Sequence, residues 1–289
     1  MPSMTALPER AGDPASRTGH PILVVRDIVK RFIGTEGAIT AVDHVSFSVA
    51  QGEFMSVIGP SGCGKSTLFN VIGGLTDGYD GQVTVAGETI NGPHAAIGMV
   101  FQEESTFPWR TVIENVAFPL EISGVAKAER LERARHFIAL VGLTGFERRY
   151  PSELSGGMRQ RVSMARTLAS EPKILLMDEP FASLDEQTRL LLGDKVLQIQ
   201  QQLRQTTLLI THNITEAVQL SDRVLVMTYR PGKVKRVVTI DLPRPRTSEI
   251  VSSDAFGHYV AQIWSDLREE ASQGMDEAEA RSLQRGAAP

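Results

Sequence analysis

GPSGCGKST, Gly59 to Thr67, lies between an apolar run, Glu53 to Ile58, and a stretch, Ser66 to Leu75, in which Leu68, Val71, Ile72 and Leu75 recur at helical spacing. The order is strand, glycine-rich turn, helix, and the string fits G-x-x-x-x-G-K-S. Glycines let consecutive backbone N–H groups converge on phosphate oxygens with no Cβ in the way. The helix N-terminus adds a partial positive charge. Gly59, Pro60, Ser61, Gly62, Cys63, Gly64, Lys65, Ser66 and Thr67 therefore read as a cradle for nucleotide phosphates. Lys65 is expected to reach the β and γ phosphates, and Ser66 to ligate Mg²⁺. The bland alternative is a glycine-rich turn with an exposed lysine, and the flanking strand and helix weigh against it.

Further along, Ile174-Leu175-Leu176-Met177 is an apolar strand that delivers Asp178 and Glu179. Asp178 is expected to hold the metal, and Glu179 to polarise the attacking water as general base. Two adjacent acids after a strand are common by chance, and the phosphate loop upstream gives them meaning. His212 follows a short buried strand, Thr207 to Ile210, where an imidazole can donate to the γ-phosphate or to Glu179. Gln102 follows the strand ending Met99-Val100-Phe101, and its amide is read as touching both Mg²⁺ and the water. Phe32, ahead of the phosphate loop, is read as an adenine-stacking ring, with a core phenylalanine as the alternative.

LSGGMRQR, Leu154 to Arg161, is a second anion site. Ser155, Gly156 and Gly157 open a helix with exposed N–H groups. One chain has little use for two phosphate sites on one nucleotide. A head-to-tail pair does: Ser155, Gly156 and Gly157 of one copy clamp the γ-phosphate held by the other. ATP then joins the copies, and hydrolysis releases them.

The remaining chain reads as α/β, with strands alternating with helices into a mainly parallel sheet covered on both faces. Helices are expected over 127–141, 157–169, 186–203 and 214–220, and strands over 22–27, 41–49, 223–227 and 236–240. The stretch from about 104 to 168 lacks strong strands and reads as an inserted helical subdomain. Residues 1–20 read as a disordered tail without the apolar core of a secretory signal. A helix from Asp254 to about Ala271 and a loose end from about 275 complete the chain. No apolar run approaches the ~18 residues of a membrane helix. A net charge of -4 argues against a nucleic-acid partner. Cys63 is the only cysteine, so no intrachain disulfide forms. Its place near a helix N-terminus and Lys65 predicts a lowered thiol pKa, and alkylation that blocks nucleotide and that bound ATP prevents; the alternative is a small residue tolerated in the loop.

Six motifs in this order resemble the ATP-binding subunits of ABC transporters, over roughly residues 22 to 245. Gly59 to Thr67 looks like the Walker A loop, Gln102 the Q-loop and Leu154 to Gly157 the signature. Met177 to Glu179 looks like the end of Walker B, Ser183-Leu184-Asp185 the D-loop and His212 the switch histidine. Asn213 stands where the family often has Asp, and Gly73 where Ala is common. FQEESTFPWRTVIENVAFPL, PSELSGGMRQRV and the LPRPR string ending at Arg246 resemble the importer subunits for nitrate, sulfonates and taurine. The resemblance implies a P-loop NTPase (RecA-like) core with a mixed sheet, an antiparallel β subdomain and the helical insertion. It implies an ABC-type ATP-binding domain over 21–246 and a C-terminal segment over 247–289. It further implies ATP and Mg²⁺ as cofactors, and a second copy of the chain with two transmembrane permease subunits as partners. An external solute-binding protein would act indirectly, and the chain would sit at the cytoplasmic face of the inner membrane. Pro108, Trp109 and Arg110 fall where the family receives the membrane partner.

The competing reading is a soluble ABC-type ATPase acting on DNA or ribosomes. Against it stand the single motif set and the lack of a heptad run. A non-hydrolysing regulatory module is disfavoured by Glu179 and His212, and a GTPase by the lack of an Asn-Lys-x-Asp string.

Overall fold

The computed structural model describes residues 21–34, 37–103 and 105–286, with side chains through residue 274. The tail read over 1–20 lies outside the described residues. The chain starts with two antiparallel strands, β1 (Pro21–Gly34) and β2 (Gly37–Ala50), each longer than the alternation of apolar residues indicates. Register shifts between Val25 and Arg31 interrupt the pairing, and Asp27 and His44 turn to φ of 55° and 52°. Such bulges break the period of two that marks a strand in sequence. β3 (Phe54–Ile58) is wholly buried and feeds the glycine-rich turn into α1 (Lys65–Ile72). β4 (Tyr79–Val85) and β5 (Glu88–Thr89) complete an antiparallel sheet in the order β2-β1-β4-β5.

After β6 (Ile97–Val100) come three helices, α2 (Val112–Ile122), α3 (Lys127–Leu140) and α4 (Gly156–Ala169), which pack on one another. The individual helix α2 goes unmarked in the sequence because Pro119 lies inside it. A start signal is present nonetheless, since Glu114 accepts hydrogen bonds from the Thr111 N–H at 2.8 Å and its hydroxyl at 2.7 Å. The second half alternates: β7 (Ile174–Asp178), α5 (Glu186–Leu203), β8 (Thr206–Thr211), α6 (Ile214–Leu220), β9 (Arg223–Met227) and β10 (Val234–Thr239). α7 (Asp254–Gly286) closes the chain, and its backbone stays helical past residue 275, where the sequence reading has a loose end.

The central sheet has the order β10-β9-β3-β8-β7-β6, parallel except for β10 on β9. Period two along each strand divides the core between its faces. Met55 and Val57 of β3 face the antiparallel sheet and α1, with Ile174 and Leu176 of β7. Phe54, Leu175 and Met177 face the helices α2 to α5. Ile58, Val224 and Val226 join a third cluster under α6 and α7. A fully buried Leu, Val or Ile contributes about 1.5–3 kcal/mol, so these strands are fixed from both sides. Ile58 pairs with Thr211, and Asp178 with Ile210. The carboxyl ends of β3, β7 and β8 thus converge on one edge, where open α/β sheets bind their ligands.

Candidate functional site

The turn after β3 is held shut by its glycines. Gly64 caps α1 at φ 103°, and a Cβ there would lie 2.5 Å from the Ala41 carbonyl oxygen. Only glycine meets both demands. The Lys65 side chain folds back into the loop, its Nζ donating to the carbonyls of Gly59 at 2.8 Å and Pro60 at 3.0 Å. The ammonium waits among oxygens and is 7% exposed. Beside the loop opens a cavity of about 440 Å³, lined by Ser61, Gly62, Gly64, Lys65, Ser66 and Thr67 on one side. Phe32, Ile39 and Ala41 line the other side, and Glu179 and Arg230 close it. Phe32 is 47% exposed, and Lys30 Nζ lies over one face of its ring, 5.1 Å from the centre, so a planar ligand would stack on the other face.

Asp178 ends β7 against this loop. Burial pushes its carboxyl pKa up, and the neighbouring Glu179 charge pushes it further. Ser66 beside it pulls the other way, and the Asp178 Oδ1 is buried with no hydrogen-bond partner among the described residues. An orphaned carboxylate oxygen beside a serine hydroxyl fits a hard divalent cation, which takes oxygen ligands. Glu179 turns out of the strand at φ 43°, and its N–H donates to the Ile210 carbonyl at 2.8 Å. That backbone region is uncommon for a side chain larger than glycine's and clusters at functional sites. It aims Oε2 at His212, whose Nδ1 is 3.0 Å away.

His212 is positioned from behind. Asn213 caps α6 by accepting from the Glu216 N–H at 2.9 Å, and Thr211 Oγ1 donates to Glu216 Oε2. Glu216 Oε1 and Arg189 Nε are both buried without a hydrogen-bond partner among the described residues. Burial pushes the Glu216 pKa up to about 7, opposed in part by Thr211, Arg189 and His212, with Glu179 adding to the rise. A carboxyl raised in the fold keeps its proton where the unfolded chain, near 4.5, has lost it. Its stabilising contribution is full below about 4.5 and is lost as pH rises to about 7. Glu216→Gln should therefore match the wild type in unfolding free energy at pH 4.5 and exceed it at pH 8 by ~1–3 kcal/mol. A difference that stays constant across that range would mean the native carboxyl is charged throughout.

Ser155 caps α4, its Oγ accepting from the Met158 N–H at 3.3 Å, and Gly156 and Gly157 form the first turn. None of the three lines the cavity beside the phosphate loop. Gln102 is exposed on the bend after β6 and is also outside that lining. The parallel register, Val100 beside Met177, leaves it near the Asp178 end of β7. One chain therefore assembles Phe32, the loop, Asp178, Glu179 and His212, and leaves Ser155 to Gly157 outside the cavity lining.

The sequence profile of the ABC transporter family matches residues 42–182. An uncharacterized ABC transporter ATP-binding protein of Methanocaldococcus jannaschii is 48% identical over 248 residues, 86% of this chain and 92% of that protein. The chain belongs to the ABC transporter ATP-binding proteins. The nitrate import ATP-binding protein NrtD of Synechocystis is 43% identical, over 85% of this ABC chain and 95% of its own length. The aliphatic sulfonates import ATP-binding protein SsuB of Bacillus cereus is 40% identical, over 77% and 88%. Among solved structures, a dimeric ATP-binding cassette in a post-hydrolysis state with ADP and phosphate superposes with a TM-score of 0.67. It shares 32% identity and covers 76% of this chain and all of that one. The expected cassette fold, with its mixed sheet, antiparallel sheet and helices, is the one found.

One expectation for this ABC ATPase is overturned. Cys63 is fully buried, and burial pushes its thiol pKa up, outweighing the Lys65 charge that pulls it down. Proximity to a helix N-terminus is legible in sequence, whereas desolvation is not. A thiol reagent at pH 7 should react with the folded chain at least a hundredfold more slowly than with the chain in denaturant, with or without ATP. Comparable rates would show that the loop opens to solvent. Arg230, Ile39 and Ala41 line the cavity unannounced by any motif, because each reaches it from a distant segment.

Proposed function

We propose that this chain is the ATP-hydrolysing subunit of an importer for a small solute of the nitrate, sulfonate or taurine kind. Two copies would close head to tail around ATP, each offering Ser155, Gly156 and Gly157 to the γ-phosphate cradled by the other. Phe32 would stack on adenine, and Lys65 would exchange the Gly59 and Pro60 carbonyls for phosphate oxygens. Ser66, Asp178 and Gln102 would hold Mg²⁺, which when bound screens the phosphate charge. Glu179 would take the proton of the attacking water, with His212 holding the carboxylate in place. The observation that carries the catalytic reading is the Glu179–His212 contact of 3.0 Å at the mouth of the phosphate loop.

The import reading draws on the names of the relatives and on one surface. Trp109 is 72% exposed on a loop that the rest of the chain holds rigid. Buried Asn115 accepts from the Phe107 N–H at 2.7 Å and donates to the carbonyls of Phe107, Arg110 and Thr111. Arg166 donates to the Ser105 carbonyl at 2.7 Å. A large exposed indole on a fixed loop, beside a groove of about 700 Å³, suits a docked helix. The groove would receive the permease at the cytoplasmic face of the membrane.

The deciding experiment is a pull-down of tagged Glu179→Gln protein with ATP from gently solubilised native membranes, with the partners identified by mass spectrometry. Recovery of a multi-span membrane protein, lost on adding Trp109→Ala while ATP binding persists, is the expected result. Recovery of only ribosomal proteins or DNA would replace the importer with the soluble ATPase.

A further inference from the structure

Arg230 reaches the phosphate loop from the turn between β9 and β10. Its Nε donates to the Gly62 carbonyl at 2.7 Å, and its guanidinium lies so close that a Cβ on Gly62 would come within 2.8 Å of Nη2. It lines the same cavity as Phe32, Lys65 and Glu179, and it is exposed there. A guanidinium carries five donors in a planar fork, and one of them suffices for Gly62.

The turn that carries it is fixed at three places. Buried Gly232 donates to the Ala41 carbonyl at 3.0 Å and accepts from the Asp43 N–H at 2.9 Å. A Cβ on Gly232 would sit 2.1 Å from the Cys63 carbonyl oxygen, so the turn rests directly on the phosphate loop. Thr228 Oγ1 shares its single proton within the turn between the carbonyls of Tyr229 and Pro231. The third fixture comes from α7: Glu270 Oε2 accepts from the Tyr229 N–H at 2.8 Å, and its Oε1 pairs with Lys235 at 2.8 Å. Glu270 is buried, and Tyr229 covers Gly274, where a Cβ would meet the ring at 2.8 Å. A clamp needed only to hold Gly62 does not require an exposed cation at the cavity wall.

We infer that Arg230 is a nucleotide-contacting residue that engages the phosphate chain beside Gly62, and that α7 sets its reach through Glu270. The inference rests on the proposal that ATP occupies this cavity. Glu270 is a positioning residue, since it touches only the backbone next to Arg230 and Lys235.

The test titrates ATP onto the full-length chain by calorimetry at two salt concentrations. Arg230→Ala should weaken ATP about tenfold and flatten the salt dependence, as expected when one charge-assisted phosphate contact is lost. Arg230→Lys should recover part of the loss. Glu270→Ala should weaken ATP about threefold alone and not at all in the Arg230→Ala background. Lys65→Ala separates the two ideas. If Lys65→Ala has lost ATP while Arg230→Ala binds within twofold of wild type, Arg230 is only a clamp on Gly62. If Lys65→Ala binds like the wild type, the cavity itself is misassigned. A measurement on unaltered protein guards against variants that fail to fold: phenylglyoxal modification of Arg230, mapped by mass spectrometry, should slow at least fivefold with ATP. An unchanged rate overturns the inference.

Discussion

Glu179→Gln should lower ATP turnover at least a hundredfold, keep ATP bound, and yield a chain that elutes as a pair only when ATP is present. A positioned general base contributes about 10²–10⁴-fold. The amide has the shape of the carboxylate and keeps a hydrogen-bonding partner for His212 Nδ1, now 3.0 Å from Oε2. What it lacks is the ability to accept a proton from water. The backbone at φ 43° is unchanged by this swap, so the loop that carries the residue stays in place. Binding and pairing should survive the loss of chemistry for the same reason. Phosphate release under saturating ATP and size exclusion with and without ATP measure the two halves separately. Wild-type turnover in the Gln variant would remove Glu179 from the role of base and leave the water to another group.

Lys65→Ala should bring turnover below detection and weaken ATP by about two orders of magnitude, with little change in thermal stability. The two effects part because of where the ammonium sits. It is buried, with carbonyl partners at 2.8 and 3.0 Å and no carboxylate paired with it among the described residues. Burying a cation on neutral dipoles roughly balances desolvation against hydrogen bonding, so removing it leaves the fold nearly as stable. Against a triphosphate the balance differs, since each contact is charge-assisted and dry. A thermal midpoint that falls by more than ~5 °C would show that the lysine holds the empty loop together, contrary to this account.

The catalytic half of the site is legible as spacing, because its parts are local. Gly59 to Thr67 and Met177 to Glu179 each follow an apolar strand, and parallel pairing of β3, β8 and β7 brings their ends together. His212 falls beside Glu179 because it too follows the end of a strand. What the sequence hides depends on long-range packing. Arg230 meets Gly62 across 168 residues, and no motif announces the contact. Glu216 looks like an ordinary surface glutamate near the start of α6, and only the structure reveals that it is buried against Thr211. The reading of Cys63 fails for the same reason: charge neighbours are visible in sequence and solvent exclusion is not. β1 and β2 are read short because bulges at Asp27 and His44 erase the alternation that betrays a strand.

The buried Cys63 should make the folded chain behave toward maleimides as though it had no cysteine at all. A dye or spin label can then be attached at one chosen surface position with the native loop left intact. Ile122, 73% exposed at the end of α2, is such a position. A probe there, and a second in a separate preparation at exposed Leu191 on α5, would report distances between copies as ATP is added and spent. The same thiol, dark while the loop is packed and reactive once it loosens, serves as a built-in gauge of local melting at the phosphate site.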